Sequence, residues 1–277
     1  MSFRINTNIS SLMAQTPLNK VSREMEESYA KLSSGQRITK AADDAAGLAI
    51  SEKLKAEIRS SHQANRNAND GISLVQTAEG GLNETSSILT RMRELAIQAA
   101  SDTLGDSDRS KTSMEYQQLK SELDRISQTT EFNGRKLLNG QGPKLDFQVG
   151  VGSNNTEDQI SYNTSGLNSG VDSLGVSSAV ITSKWSAQES LSKIDSALNK
   201  VSGQRSVLGS LQNRLTSSSN NLMVYSENMS ATNSRIRDVD FADETAKQAK
   251  NSIVSSAGTA VLAQANMSGQ AALKLLS

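Results

Sequence analysis

Apolar side chains recur along this chain at helical spacing in two long stretches. Leu54, Ser61, Ala68, Val75, Leu82, Leu89 and Ala96 stand seven residues apart, with Ile50, Ile58, Ile72, Ala78 and Met92 on the flanks. Far downstream, Ala187, Ile194, Val201, Leu208, Leu215, Leu222 and Met229 repeat the spacing, joined by Leu191, Leu198 and Leu211. Each ladder predicts a long amphipathic helix of roughly 60 to 80 Å at about 1.5 Å per residue. A shorter helix with Tyr116, Leu119, Leu123 and Ile126 on one face is predicted to start at the capping box Thr112-Ser113-Met114-Glu115. The downstream ladder has a box of its own, Ser186-Ala187-Gln188-Glu189. Gly71, Gly203 and Gly209 fall inside these patterns at about 1 kcal/mol each relative to Ala, so packing must compensate. The expected class is mainly α: a long antiparallel helical rod, coiled-coil-like, with paired terminal helices.

The two chain ends carry a weaker pattern. Val239, Ala246, Ile253, Ala260 and Met267 form a seven-residue ladder, with Ala242, Ala249, Ser256 and Ala263 three positions after the first four. Small side chains let backbones approach closely but remove little apolar surface from water, so such a helix needs several neighbours. At the other end Ile5, Ile9 and Leu12, then Leu18, Val21, Met25, Tyr29 and Leu32, mark a helical face. The two terminal helices are expected to pair with each other. Pro17 removes a backbone donor, and a kink or break is expected there. Gly35 and the Asp43-Asp44 pair separate this arm from the rod, the carboxylates sitting where a helix N-terminus favours negative charge.

Between Phe132 and Thr182 the period drops to two, in Leu145-Asp146-Phe147-Gln148-Val149 and Ile160-Ser161-Tyr162, which predicts short strands and hairpins. The Gly- and Ser-rich run from Ser165 to Ser178 reads as the best place for a tolerated insertion. The expected division is a terminal-helix domain, 1–44 plus 234–277, and a rod domain, 45–233, with its β region at about 132–182.

Charge narrows the function classes more than it names one. The 29 basic and 29 acidic residues balance, and no basic patch is interleaved with aromatics, which are 3% of the chain. Nucleic acid is therefore not an expected partner. No charge lies between Asn251 and Leu273, yet that stretch holds too many Ser, Asn and Gln side chains for a membrane interior. The 277-residue chain has no Cys, which excludes a disulfide framework, a thiolate metal site and a cysteine nucleophile. Met1-Ser2-Phe3-Arg4-Ile5-Asn6 has no apolar segment of the signal-peptide kind.

Catalytic constellations do not assemble. His62 is the single histidine and lies within the first long helix, so neither a His-Glu-x-x-His zinc motif nor a Ser-His-Asp triad is available. Asp238, Asp240, Asp243 and Glu244 lack the spacing and glycine of a calcium loop. Asp240 as N-cap, with Asp243 and Glu244 in the first turn, accounts for them. Gly150-x-Gly152 has no third glycine and no helix after it, which leaves a phosphate cradle unsupported. No enzyme activity, cofactor or metal is expected.

Several ordered segments resemble bacterial flagellin. They are Arg4-Ile5-Asn6-Thr7-Asn8, Leu32-Ser33-Ser34-Gly35-Gln36-Arg37-Ile38, Asp43-Asp44-Ala45-Ala46-Gly47-Leu48-Ala49-Ile50 and Arg66-Asn67-Ala68-Asn69-Asp70-Gly71-Ile72-Ser73. Phe132-Asn133-Gly134, Ser234-Arg235-Ile236-Arg237-Asp238-Val239-Asp240-Phe241-Ala242 and Val261-Leu262-Ala263-Gln264-Ala265-Asn266 continue the match. The chain resembles a short flagellin without the variable outer domains, which larger relatives insert near Ser165–Ser178. Pro17 departs from the family's usual pattern.

The resemblance implies a hollow helical filament, an extracellular bacterial flagellum used for swimming, whose inner tube is built from the paired terminal helices. It implies export in unfolded form by a flagellar type III apparatus, and as partners other copies of the chain, an export chaperone on the C-terminal arm, a filament cap protein and hook-filament junction proteins. Subunit assembly is assigned to Ile5, Ile9, Leu12, Val21, Met25, Val239, Ala246, Ile253, Ala260 and Met267. By resemblance alone, Arg91, Leu95 and Glu115 match positions at which a vertebrate Toll-like receptor senses flagellin. The rival readings are a hook-filament junction protein of the same superfamily and, from another class, a coiled-coil adhesin or secreted scaffold.

Overall fold

The computed structural model describes residues 7–274, with side chains through Met267. Six α-helices and four short strands follow in the order α1 (Ile9–Ser34), α2 (Ala45–Ala99), α3 (Asp106–Thr129), β1 (Glu131–Phe132), β2 (Arg135–Lys136), β3 (Lys144–Gln148), β4 (Gln159–Asn163), α4 (Val171–Leu174), α5 (Lys184–Arg237) and α6 (Phe241–Lys274). The chain divides into two compact units, 1–58 with 228–277 and 59–227. Both divisions fall inside the long helices α2 and α5, which have no break there.

In the second unit the two ladders meet as the periodicity requires. Val75, Leu82, Leu89 and Ala96 of α2 and Ala187, Ile194, Leu208 and Leu215 of α5 are fully buried in one continuous core. Polar contacts fix the helices antiparallel. The Ser61 hydroxyl donates to the Leu222 carbonyl, Arg205 pairs with Glu79, and Arg93 pairs with Asp195. α3 adds Tyr116 and Leu123 to the same core, with Leu119 half-buried. Burial pushes the Tyr116 phenol up to about 12.

Two helix starts differ from the expected capping boxes. α3 begins at Asp106, and Thr112 lies inside it, its hydroxyl spent on the Asp108 carbonyl. At α5 the cap is Ser183, whose hydroxyl accepts from the Ser186 N–H, while the Ser186 hydroxyl accepts from the Ser183 N–H. The true cap precedes the expected one by a single turn, because Ser186 is the reciprocal partner and not the cap. Arg109 explains the early start of α3. Its guanidinium, 7% exposed, donates to the carbonyls of Ala99, Ser101 and Leu104 and pairs with Asp106, so it satisfies the open end of α2 and the turn beyond.

β1 and β2 form a hairpin across Asn133 (φ 49°) and Gly134 (φ 75°), two left-handed residues suited to an Asn-Gly turn. β3 and β4 pair antiparallel with Leu145 opposite Tyr162 and Phe147 opposite Ile160, so the predicted alternation places four apolar side chains on one face. Gly71 makes room for that face, since a Cβ there would lie 3.0 Å from the Phe147 ring. At Gly203 and Gly209 an added Cβ would meet nothing within 4 Å, and no packing accounts for them. Within the Ser165–Ser178 run Leu167, Ser169, Val171, Leu174 and Val176 are buried, whereas residues 151–157 are all exposed.

Candidate assembly interface

The first unit is built on α1 and α6, which lie antiparallel. Asn8 donates to the Ala265 carbonyl at one end, and at the other the Ser28 hydroxyl donates to a Glu244 carboxylate oxygen at 2.6 Å. α1 is one continuous helix through Pro17, with no break. The ring and the carbonyl it deprives of a partner are tolerated because Met13, Thr16 and Pro17 are all exposed, leaving water as the substitute. Asn8 caps the helix by accepting from the Ser11 N–H, and Gly35 ends it in the left-handed conformation (φ 69°).

Between α1 and α2 the two aspartates divide their work. Asp44 caps α2 by accepting from the Gly47 N–H. Asp43 instead accepts from the Thr39 and Lys40 N–H groups, and those bonds, Lys40 first, hold its carboxyl below the usual range. The loop then joins the α5–α6 connection. The Arg37 N–H donates to the Arg237 carbonyl at 2.6 Å and the Val239 N–H to the Gly35 carbonyl at 3.0 Å. The Arg237 side chain reaches Gln36, Ser51 and Glu52. At the start of α6, Asp240 accepts from the N–H groups of Ala242 and Asp243, as expected of a cap.

The stripe by which α1 and α6 meet includes Leu18, Val21, Met25 and Leu32 of the α1 face read from the sequence, but on α6 it is not the ladder read there. On α1 it is Ala14, Leu18, Val21, Met25, Ser28 and Leu32; on α6 it is Glu244, Gln248, Asn251, Ser255, Gly258, Leu262 and Ala265. Each runs at 3-4 spacing. Apart from Ser28 and Glu244, all of these are only partly covered. Small residues allow the close approach: a Cβ on Gly258 would stand 3.0 Å from a Leu18 methyl. The expected ladder lies on the outside of α6. Ala246, Ile253, Ala260 and Met267 are exposed, Ile253 by 70% and Met267 by 61%. Val261 and Val254 lie open on the same helix. On α1, Ile9, Leu12 and Met13 are exposed by 50%, 55% and 72%. Of the other residues assigned to assembly, Val21 and Met25 belong to the internal stripe and Val239 is half-buried beside Gly35. Ile5 lies outside the described residues. The stripe of α6 that meets α1 is the more polar of the two, so hydrophobic periodicity marks the other one.

Within the second unit, Arg91 donates through Nε and Nη2 to Glu115 at 3.0 and 2.8 Å and through Nη1 to Glu94 at 2.9 Å. Arg91 and Glu115 are about half exposed, whereas Leu95 is 2% exposed in the core beneath them. No group of His, Asp or Glu suited to holding a metal occurs among the described residues, and no described helix is long and apolar enough to cross a membrane.

Comparison with known proteins matches the helical regions at both ends of the chain. The bacterial flagellin N-terminal helical region aligns with residues 5–142 and the C-terminal helical region with residues 191–276. The chain belongs to the bacterial flagellin family. A flagellin of Halalkalibacterium halodurans is 43% identical over 98% of this chain and 99% of its own length. One of Bacillus subtilis is 41% identical over 99% of both chains. The crystal structure of Bacillus cereus flagellin superposes with a TM-score of 0.50 at 32% identity, covering 57% of this chain and 88% of that one. This flagellin therefore matches relatives of nearly its own length.

Glu244 is the one buried carboxylate on α6 among the described side chains, and it gives the α1–α6 pair a pH dependence. Its hydrogen bond from Ser28, then Lys247, holds its carboxyl below the usual range. Lys31 of α1 and Lys247 and Lys250 of α6 face it, together with Glu24 and Glu27. The lowered carboxyl stabilises the pair above the unfolded value of about 4.3, and that contribution is lost as pH falls through the folded value. Helicity of the arms, followed by circular dichroism, is expected to fall below about pH 4, and Glu244→Gln to flatten the Glu244 share of that fall.

Proposed function

We propose that this flagellin is the structural subunit of an extracellular flagellar filament and that copies meet through the outer faces of α1 and α6. The observation that supports it most is the run of exposed apolar residues, Ile9, Leu12 and Met13 with Ile253, Val261 and Met267, on helices whose mutual contact uses other residues. An open apolar face of this kind is stabilised by association. Ordering each residue costs roughly 1 to 2 kcal/mol of backbone entropy, and the partly covered α1–α6 stripe returns less than that at about 25 cal/mol per Å². The arms therefore fold fully only when neighbouring copies cover them, which prevents premature polymerisation and suits export in unfolded form. The lack of Cys fits the same route, since no crosslink can form in transit. Under this reading a chaperone holds the C-terminal arm before export, a cap protein guides addition at the tip, and junction proteins join filament to hook.

Purified protein seeded with filament fragments is expected to grow into uniform tubes under the electron microscope. Amide hydrogen exchange on the monomer is expected to show weak protection across residues 245–270. Failure to grow, or strong protection of that whole segment before assembly, would overturn the reading.

A second activity rests on Arg91, Glu115 and Glu94, a half-exposed charge cluster above the buried Leu95. A vertebrate Toll-like receptor is the proposed partner. Purified monomer is expected to activate it, and Arg91→Ala to weaken activation at least tenfold by removing a bidentate charged contact. An inactive parent protein would end the proposal.

A further inference from the structure

Polar anchoring of the α1–α6 pair is concentrated at one end. Next to the interhelical loops, the Gln36–Asp238 bridge and the Arg37-to-Arg237 hydrogen bond hold the two chain segments backbone to backbone. About two turns away along α1 sits the Ser28–Glu244 hydrogen bond, whose two partners are 4% and 6% exposed and are the buried side chains of these helices among the described residues. Beyond it toward the chain ends the stripe is partly open, and near those ends Asn8 donates to the Ala265 carbonyl. Breaking such a buried pair is costly and so specifies alignment, because another pairing removes the short bond from Ser28 and leaves the carboxylate only the longer contact with Lys247 of its own helix.

We infer that the arms close as a zipper that starts at the loops and runs toward the chain ends, with Glu244 as the positioning residue that makes the first side-chain link. Closure past this point adds small increments per turn, each conditional on the one before it, as in helix propagation from a costly nucleus. Removing the link at Glu244 therefore affects the whole arm, whereas removing the Asn8 link affects only the tip. The inference concerns pairing within one chain and is separate from where copies meet.

The test is hydrogen exchange with mass spectrometry on the full-length monomer, with and without a stabilising osmolyte. Within the two arms, whose protection is weak overall, it is expected to be greatest at residues 24–34 and 241–250, to decline toward residues 9–14 and 258–265, and to advance in that direction as osmolyte is added. Glu244→Ala is expected to lower protection in both helices by about tenfold or more, as the loss of one buried charge-assisted hydrogen bond would. Ser28→Ala, a smaller change, should act in the same direction. Glu244→Gln, which keeps a neutral acceptor for the Ser28 hydroxyl, should recover part of that protection at neutral pH, and Asn8→Ala should alter only the tip. Uniform protection, protection greatest at the tip, none near the loops, or a gradient unmoved by Glu244→Ala would each overturn the zipper. Seeded growth of the parent protein tests the filament reading independently of these outcomes.

Discussion

Ile253→Asp is expected to abolish filament growth while leaving the monomer's thermal unfolding unchanged. Ile253 is 70% exposed in the single chain, and a surface substitution of that kind moves stability by about 0.5 kcal/mol or less. On the proposed assembly face the same side chain becomes covered by a neighbouring copy, and an unpaired carboxylate buried there would cost several kcal/mol for every subunit added. Since each 1.4 kcal/mol is tenfold, the concentration needed for growth rises by about a thousandfold or more. Sedimentation after seeding, with electron microscopy of the pellet, measures it. Ile253→Leu should assemble normally, and deletion of residues 251–277 should give soluble protein that does not polymerise. Ordinary tubes from either the aspartate variant or the deletion would refute the role given to this face.

Leu208→Ala should act on the other unit. Leu208 is fully buried in the core shared by α2, α3 and α5, and truncating it removes apolar contact and leaves a cavity, at about 2 to 5 kcal/mol. For a unit of this size each kcal/mol lowers Tm by about 2 to 4 °C, so a drop of roughly 5 to 15 °C is expected by circular dichroism. The adjacent Val207, 51% exposed, is the control, since Val207→Ala should stay within about 0.5 kcal/mol of the parent. Equal effects at the two positions would contradict the assigned packing.

How much of this is readable in the chain depends on how large the side chains are. Leu82, Leu89, Leu208 and Leu215 mark the core face of α2 and α5 without ambiguity, and those ladders are buried as their spacing predicts. The alternation Leu145-x-Phe147 and Ile160-x-Tyr162 locates the β3–β4 pair for the same reason. On α6 the hydrophobic signal marks the outer face, where Ile253, Ala260 and Met267 lie exposed. The stripe that meets α1 is the more polar one, with Glu244, Gln248 and Asn251, and a hydrophobic criterion passes it over. Burial of Arg109 and Glu244 is likewise invisible in the sequence, since each depends on partners brought together by the fold: helix-end carbonyls for the arginine and Ser28 for the glutamate. The break that Pro17 could have caused is absent, and the exposure of Met13, Thr16 and Pro17 leaves the carbonyl that lacks a donor open to solvent.

The contact between Asn8 and Ala265 joins positions separated by 257 residues. A polypeptide released early from the ribosome, or trimmed at either extremity, lacks half of the pair and leaves the other helix without its mate. Under the proposed assembly through α1 and α6, competence to join a growing polymer is thereby tied to the presence of both helices, so copies lacking either one are screened out.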